Sequence, residues 1–153
     1  MRMTLSEYVN RGRLNELNLR IYYMSPSILT VMPVSIEDLK SEVWYEYTTL
    51  IDGVLLDEYV DLLLGIIDVI LVPVEHDSTV NARIYYVFET KRGRAVLDVV
   101  LWSYYEYMIV NGVEVNNNDV FYDLLMPFLP KELANDLNDH ISAKPFLRNS
   151  ELR

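Results

Sequence analysis

The 153-residue chain contains no cysteine, two histidines and five glycines. The missing cysteine excludes a disulfide framework, a thiolate nucleophile and any zinc site built on cysteine. The glycines stand singly, so the chain has no glycine-rich loop for binding phosphate, and no Gly-x-Ser-x-Gly motif marks a serine nucleophile. These absences leave the chain without a strong catalytic motif or a recognisable cofactor site.

The chain also lacks a long hydrophobic run without charge. Its longest apolar region, residues 54–74, is interrupted by four acidic residues, each costly at the centre of a bilayer. The first eight residues carry no apolar core of a secretory signal. We therefore expect a cytoplasmic protein that does not contact membranes. Its apolar share of 51% is typical of a globular domain, which we place at residues 1–143, followed by a polar tail at 144–153.

Basic residues are scarce in the middle of the chain. Between Ile36 and Ala82 there are eleven acids and one base, Lys40, and this segment carries a charge equal to the net charge of the whole protein, −10. The acidity is therefore local. A local acidic field attracts basic partners and speeds their association, whereas it repels nucleic acid.

Turn and cap residues divide the chain into predicted helices. Ser35 stands three residues before Asp38, a typical start of a helix, and Pro130 suits the first turn of another. The helix after Ser35 would place Ile36, Leu39, Val43 and Tyr47 on one face. The predicted helices are a short one after Thr4 or Ser6 that ends at Gly12, the helix after Ser35, Val54–Leu64 ended by Gly65, Val120–Met126 capped by Asp119, and Lys131–Ile141.

Alternating and β-branched runs predict the strands. A β-meander begins at Arg83, turns at residues 91–93, and turns again at Asn111-Gly112, a strong type I′ hairpin signal. A bend is expected near Trp102-Ser103 because residues 95–110 are too long for one ordinary strand. Further strands are predicted at Leu19–Met24, Ile28–Met32 and Ile66–Val72. Together these elements predict an α+β fold, an antiparallel meander packed with helices from both ends of the chain.

One catalytic candidate is Glu89-Thr90-Lys91, at the end of a predicted strand and downstream of Asp68 and Asp77. An acid followed by Glu-x-Lys resembles the core of metal-dependent restriction-type nucleases. That resemblance implies Mg²⁺ held by carboxylates and a water positioned by Lys91. The sequence departs from the pattern because the Lys runs into a basic turn, which favours a solvated hairpin tip instead.

Two histidine-containing clusters allow simpler interpretations. Glu75-His76-Asp77 contains possible metal ligands, but a solvated loop explains these residues as well, and we expect neither a metal nor a cofactor. His140, near Asp136 and Asp139, is interpreted as a cation at the end of a helix, where it complements the helix dipole.

The class of function that these features favour is a non-enzymatic acidic binding protein. Small, acidic, cysteine-free α+β chains resemble the immunity proteins of bacterial toxin systems, and this is a resemblance of type and composition. It implies acids that cover the basic cleft of a toxin, such as a nuclease, with aromatic anchors. The candidate partner-binding residues are Asp52, Asp57, Glu58, Asp61, Glu75 and Asp77, with Tyr45, Tyr47 and Tyr59 as anchors.

Three alternatives stay open from the sequence. The first is a phage- or plasmid-encoded nucleic-acid mimic that inhibits a host defence protein, which predicts regularly spaced acids on one exposed ridge. The second is the Mg²⁺-dependent nuclease with Glu89 and Lys91. The third is a structural protein that pairs with itself through an aromatic sheet edge, so that both a monomer and a homodimer are allowed.

Overall fold

A computed structural model describes the backbone of residues 2–74, 80–102 and 107–151, with side chains through residue 142. The described residues form one antiparallel sheet of six strands packed with helices, and this confirms the predicted α+β class. The strands are β1 (Leu17–Tyr23), β2 (Tyr47–Asp52), β3 (Ala82–Thr90), β4 (Ala95–Trp102), β5 (Tyr107–Val110) and β6 (Val113–Asn116). Their order across the sheet is β2-β1-β3-β4-β5-β6.

Six α-helices and three short 3₁₀ turns accompany the sheet in the described ranges. The helices are α1 (Leu5–Asn10), α2 (Ile36–Leu39), α3 (Gly53–Leu56), α4 (Val60–Asp68), α5 (Val120–Asp123) and α6 (Lys131–Glu151). The 3₁₀ turns are Leu14–Glu16, Asp57–Tyr59 and Met126–Phe128. Within the described residues, none of these helices combines the length and the apolar character that crossing a bilayer requires.

Local signals placed the meander and the first helix correctly. Strands β3 to β6 are consecutive antiparallel neighbours. Asn111 and Gly112 both have positive φ angles, 50° and 80°, as a type I′ turn demands. Thr4 and Glu7 form a reciprocal capping box at the start of α1. These features depend on neighbours in sequence, so the sequence alone predicts them. The predicted bend at Trp102-Ser103 reaches residues outside the described part of the chain.

The helix predicted after Ser35 is much shorter than its pattern indicates. The Ser35 side chain caps α2 by accepting a hydrogen bond from the Asp38 amide, as predicted. The helix nevertheless ends at Leu39, and Tyr47 begins β2, which pairs with β1 along its whole length. The prediction of one face through Val43 and Tyr47 was wrong. Residues 47–52 are rich in β-branched side chains, and pairing with β1 outweighed the helical spacing.

Two predicted strands are absent. Residues 28–32 pair with no strand and are largely exposed. The run predicted as the strand Ile66–Val72 begins inside α4, which continues through Gly65 to Asp68 because Leu63 and Ile66 are both buried at helical spacing. Beyond the helix, Ile70 is 87% exposed. Both runs are apolar and β-branched, but residues 28–32 pair with no strand in the described part of the chain. The second run reaches the sheet only at its last residue, Val72, whose carbonyl accepts from the Asn116 amide beside β6. Hydrophobicity alone does not supply a strand partner.

The C-terminal helices also differ from the prediction. Helix α5 begins at Val120 with Asp119 in the N-cap position, as predicted, but it ends at Asp123 rather than at Met126. The Asp119 side chain forms no capping hydrogen bond, and the Val120 amide donates to Asn118 Oδ1 at 3.1 Å. Helix α6 runs to Glu151, beyond its predicted end at Ile141 and into the segment predicted to be a tail. His140 therefore lies within the helix, and its interpretation as a cation at the helix end was wrong.

The two faces of the sheet are covered unequally. One face carries the main core, in which Ile21, Tyr86 and Phe88 pack against helices α1, α4, α5 and α6. On the other face, Tyr85, Val87 and Trp102 form a smaller core, covered by Met24, Val34 and Leu39 from the segment between β1 and β2. This second cover is thin, and it positions an exposed apolar surface described below.

The two edges of the sheet differ as well. Beside β6, the Val74 amide donates to the Glu114 carbonyl and the Asn116 amide donates to the Val72 carbonyl, so residues 72–74 cover that edge. Beside β2, no described residue pairs with the outer edge. An uncovered edge offers backbone donors and acceptors to another chain.

Candidate functional site

Four of the six candidate acidic residues lie on one short piece of chain, residues 52–61, which we call the acidic segment. Its inward residues fix it to the core. Leu56 is fully buried, and the Tyr59 ring packs edge-on against Phe128 with centroids 4.9 Å apart. Because Leu56 and Tyr59 face inward, the exposed residues of the segment lie before, between and after them: Val54, Leu55, Asp57, Glu58 and Asp61.

Asp52 has two structural tasks at the start of this segment. Its Oδ1 accepts a hydrogen bond from the Val54 amide at 2.9 Å, which caps helix α3. Its Oδ2 lies 3.3 Å from Lys91 Nζ. The pKa of this carboxyl lies below its usual range, mainly because of the hydrogen bond from the Val54 amide and, to a smaller extent, because of the hydrogen bond and positive charge of Lys91. Asp52 is therefore already engaged within the chain and contributes less free charge than its neighbours.

Asp57, Glu58 and Asp61 carry the free charge of the acidic segment. All three are exposed, and none forms an ion pair with a base among the described residues. They stand before and within the first turn of α4, where negative charge also favours the helix dipole. The exposed aliphatic side chains of Val54 and Leu55 lie beside them, so the surface mixes charge with apolar contact area.

The three predicted aromatic anchors do not share one surface. Tyr59 and Tyr47 are half-buried and pack against the main core. Tyr45 packs against the smaller core on the opposite face, with its ring 5.7 Å from that of Tyr22. The structure thus brings Tyr59 to the acidic segment and separates Tyr45 from it. Glu75 and Asp77, with His76, lie outside the described residues.

The Glu89 and Lys91 side chains are engaged with other residues. Glu89 Oε1 accepts from Arg20 Nε at 2.9 Å, and Lys91 Nζ donates to Asn18 Oδ1 at 2.5 Å. Glu89 lines the open sheet face, whereas Asp68 ends α4, which packs on the other face. In the described ranges no three histidine or acidic side chains form a group able to hold a metal ion. The nuclease hypothesis gains no support from this arrangement.

Sequence reasoning missed a second exposed surface, which we call the apolar groove. It is formed by Ile28, Leu29, Val31, Met32, Val43 and Trp44 and encloses about 580 Å³. Leu29 is 92% exposed and Val43 is 83% exposed. A useful signal was present, because Pro26 and Pro33 flank this apolar run and each lacks a backbone donor, which argues against a strand inside a sheet.

Arg83, also missed, is buried beneath the apolar groove. Only 1% of this residue is exposed, and its guanidinium donates to the Ile28 carbonyl at 3.1 Å, to the Ala82 carbonyl at 3.0 Å and to Thr30 Oγ1 at 3.3 Å. Burial lowers the pKa of Arg83, and no described carboxylate offsets that burial. The residue fixes the loop that carries the groove.

Comparison with protein-family models, with curated proteins and with solved structures finds no match for this chain. The surfaces described above are therefore the basis on which a function is proposed for it.

Proposed function

We propose that this chain is a non-enzymatic binding protein that recognises and neutralises a basic protein, as immunity proteins do for bacterial toxins. The observation that supports this proposal best is the acidic segment, where Asp57, Glu58 and Asp61 are exposed without a described basic partner beside them. Uncompensated acids on a folded surface steer a basic partner into contact and discriminate against acidic ones. We place this encounter in the cytoplasm as part of the same proposal.

The neighbours of these acids favour a protein partner. Val54 and Leu55 are 68% and 41% exposed beside them, so a partner can gain apolar contact area as well as charge pairing. A nucleic-acid mimic would need a ridge of acids, whereas here aliphatic side chains interrupt the charge. The outer edge of β2, which no described residue covers, ends at this segment and can offer backbone hydrogen bonds to an extended strand of the partner.

The proposal is tested by affinity capture from a lysate of the source organism at low and at high salt, followed by mass spectrometry. We expect one basic protein to be retained at low salt and weakened at high salt, because salt screens exposed charges. The variant Asp57→Lys/Glu58→Lys/Asp61→Lys should lose that protein. Purified chain added to the captured protein should then inhibit that protein's activity.

A matched control separates local from overall charge. The variant Asp68→Lys/Glu132→Lys/Asp139→Lys changes the net charge by the same amount at exposed positions outside the acidic segment. It should retain the partner. Each reversal near the start of α4 also costs about 0.3–1 kcal/mol of helix stability, so thermal unfolding must show that both variants are folded. Equal retention by the wild type and the first variant would refute the acidic segment as the binding surface.

A further inference from the structure

The apolar groove is an exposed apolar feature of the described residues that the proposed function leaves unused. Its side chains come from two stretches of chain, residues 28–32 and 43–44, that meet in space. Val31 is fully exposed and Met32 is 73% exposed, so their contact with water is unfavourable in the isolated molecule. Contiguous exposed apolar side chains of this kind mark interaction sites more often than scattered ones do.

The loop that carries the groove is held in a defined shape. Buried Arg83 bonds to Ile28 and Thr30, and Thr30 Oγ1 in turn donates to the Met32 carbonyl at 2.6 Å. The Ala82 amide donates to the Val34 carbonyl at 2.7 Å and anchors the end of the loop. Arg83 also donates to Asn81 Oδ1 at 2.6 Å, so several acceptors fix its guanidinium and, through it, the backbone of the loop. A loop held in this way loses little conformational freedom on binding, which is consistent with a preformed contact surface.

The chain that joins the two stretches of the groove is acidic. Glu37, Asp38 and Glu42 lie between the two stretches, Glu46 follows the second, and all four are exposed; we call these four acids the rim of the groove. Lys40 is the one base between residues 24 and 46. Its Nζ lies 3.9 Å from Glu37 Oε1 and 4.9 Å from the centroid of the Tyr85 ring. A second copy of the chain would bring two acidic rims together, which is unfavourable. An apolar segment with basic flanks would complement both the groove and its rim.

We propose that the apolar groove binds a segment of a partner protein in which large apolar side chains are flanked by lysine or arginine. The groove volume of about 580 Å³ lies within the size range of sites that enclose several apolar groups. This inference rests on the proposed function, because it assumes a basic protein partner, and it adds a second contact surface with its own specificity. The apolar side chains would supply affinity, and the basic flanks would set orientation.

Trp44 provides a direct reading of occupancy. Its side chain lines the groove and is 38% exposed, whereas Trp102, the other tryptophan, is 4% exposed. The probe is a short synthetic amphipathic helix of leucine and lysine, titrated into the wild type at low salt. We expect the Trp44 emission to shift to shorter wavelength as the peptide covers it. A matched peptide with glutamate at every lysine position should bind at least about tenfold more weakly.

Variants locate the binding site and separate this inference from the proposed function. Leu29→Ser/Val31→Ser should weaken peptide binding by about tenfold or more, since both side chains are exposed and burying either on binding is worth about that factor. The control Ile70→Ser/Val113→Ser removes exposed apolar area elsewhere and should bind as the wild type does. The variant Asp57→Lys/Glu58→Lys/Asp61→Lys should also keep the peptide in the groove.

Three results would overturn the inference. The first is a wild type that gives no Trp44 shift with the leucine-lysine peptide. The second is equal binding by the wild type and Leu29→Ser/Val31→Ser. The third is a wild-type dimer in sedimentation that Leu29→Ser/Val31→Ser dissociates, because the occupant would then be a second copy. If peptide binding were lost only in the variant of the acidic segment, the groove would be refuted while the proposed function stood.

Discussion

Gly53 is predicted to be the glycine whose replacement is most damaging, because its backbone packs directly on another part of the chain. It lies at the junction of β2 and α3, facing residues 14–17. A methyl carbon at Gly53 would lie 2.0 Å from the Leu14 carbonyl oxygen and 2.4 Å from that of Leu17. Both distances are far below van der Waals contact, and both oxygens belong to the backbone. They cannot swing away as a flexible side chain can, so the two segments must separate.

The expected effect of Gly53→Ala follows from two opposing terms. Overpacking in a well-packed interior costs about 1–3 kcal/mol, and more where backbone must move. Alanine returns about 0.4–1 kcal/mol by restricting the unfolded chain. Because the overlaps at Gly53 are with backbone atoms, we expect the overpacking cost to lie at the upper end of its range or above it. We therefore expect a net loss of about 2 kcal/mol or more from a total stability of about 5–15 kcal/mol.

Gly65→Ala is the matched control. It is the same chemical change, but it is expected to raise the free energy of unfolding rather than lower it. Gly65 lies inside helix α4, and a methyl carbon there would meet no atom within 4 Å. Alanine in a helix interior is favoured over glycine by about 0.5–1 kcal/mol, so this variant should be more stable than the wild type.

The assay is urea unfolding followed by far-ultraviolet circular dichroism for the wild type and both alanine variants. If Gly53→Ala unfolded within about 0.5 kcal/mol of the wild type, the close approach of residues 14–17 to Gly53 would be wrong. If both variants changed stability in the same direction, the distinction between the two glycines would fail. Gly53→Ala should also displace the acidic segment and weaken partner capture.

Two further predictions concern the contacts of helix α6. Tyr23 Oη donates to Asp136 Oδ2 at 2.6 Å, and burial, together with Asp136, raises the pKa of Tyr23. Tyr23→Phe should therefore lower the free energy of unfolding, measured in urea, by about 1.5–3 kcal/mol. A loss below about 0.5 kcal/mol would contradict this contact. Burial lowers the pKa of His140 below 6.5, although Asp136 opposes the shift. The unfolded chain therefore takes up this proton first as pH falls below about 6.5, and stability should fall with it by at most about 1.4 kcal/mol per pH unit. His140→Gln should lose less stability than the wild type between pH 7.5 and 5.5, and parallel losses would refute the assignment.

The parts of the fold that the sequence predicted depend on contacts between near neighbours in the chain. The Ser35 cap, the cap of the first helix, which was predicted at Thr4 or Ser6, and the turn at Asn111-Gly112 are each decided within a few residues. The alternating pattern from Arg83 onwards predicted the meander for the same reason, since each strand pairs with the next. The exposure of Asp57 and Asp61 also follows from local helical spacing around buried Leu56 and Leu63.

The parts that the sequence did not predict depend on distant segments. Strand β2 exists because β1 pairs with it, although its residues also continue a helical pattern begun at Ile36. Tyr45 and Tyr47 lie two positions apart and were both predicted to be aromatic anchors of one binding surface. They pack on opposite faces of the sheet. The close approach at Gly53 likewise requires residues 14–17, far away in sequence.

The sequence by itself determined the α+β class, the meander, the helix starts and the local concentration of acidic charge. Only the tertiary structure decided that residues 28–32 form an exposed apolar groove, and that Arg83 is buried beneath it. The physical reason is that burial belongs to the packed chain. An apolar run becomes core or surface according to which partners the rest of the fold brings to it, and an arginine is buried where carbonyls from another segment satisfy its donors.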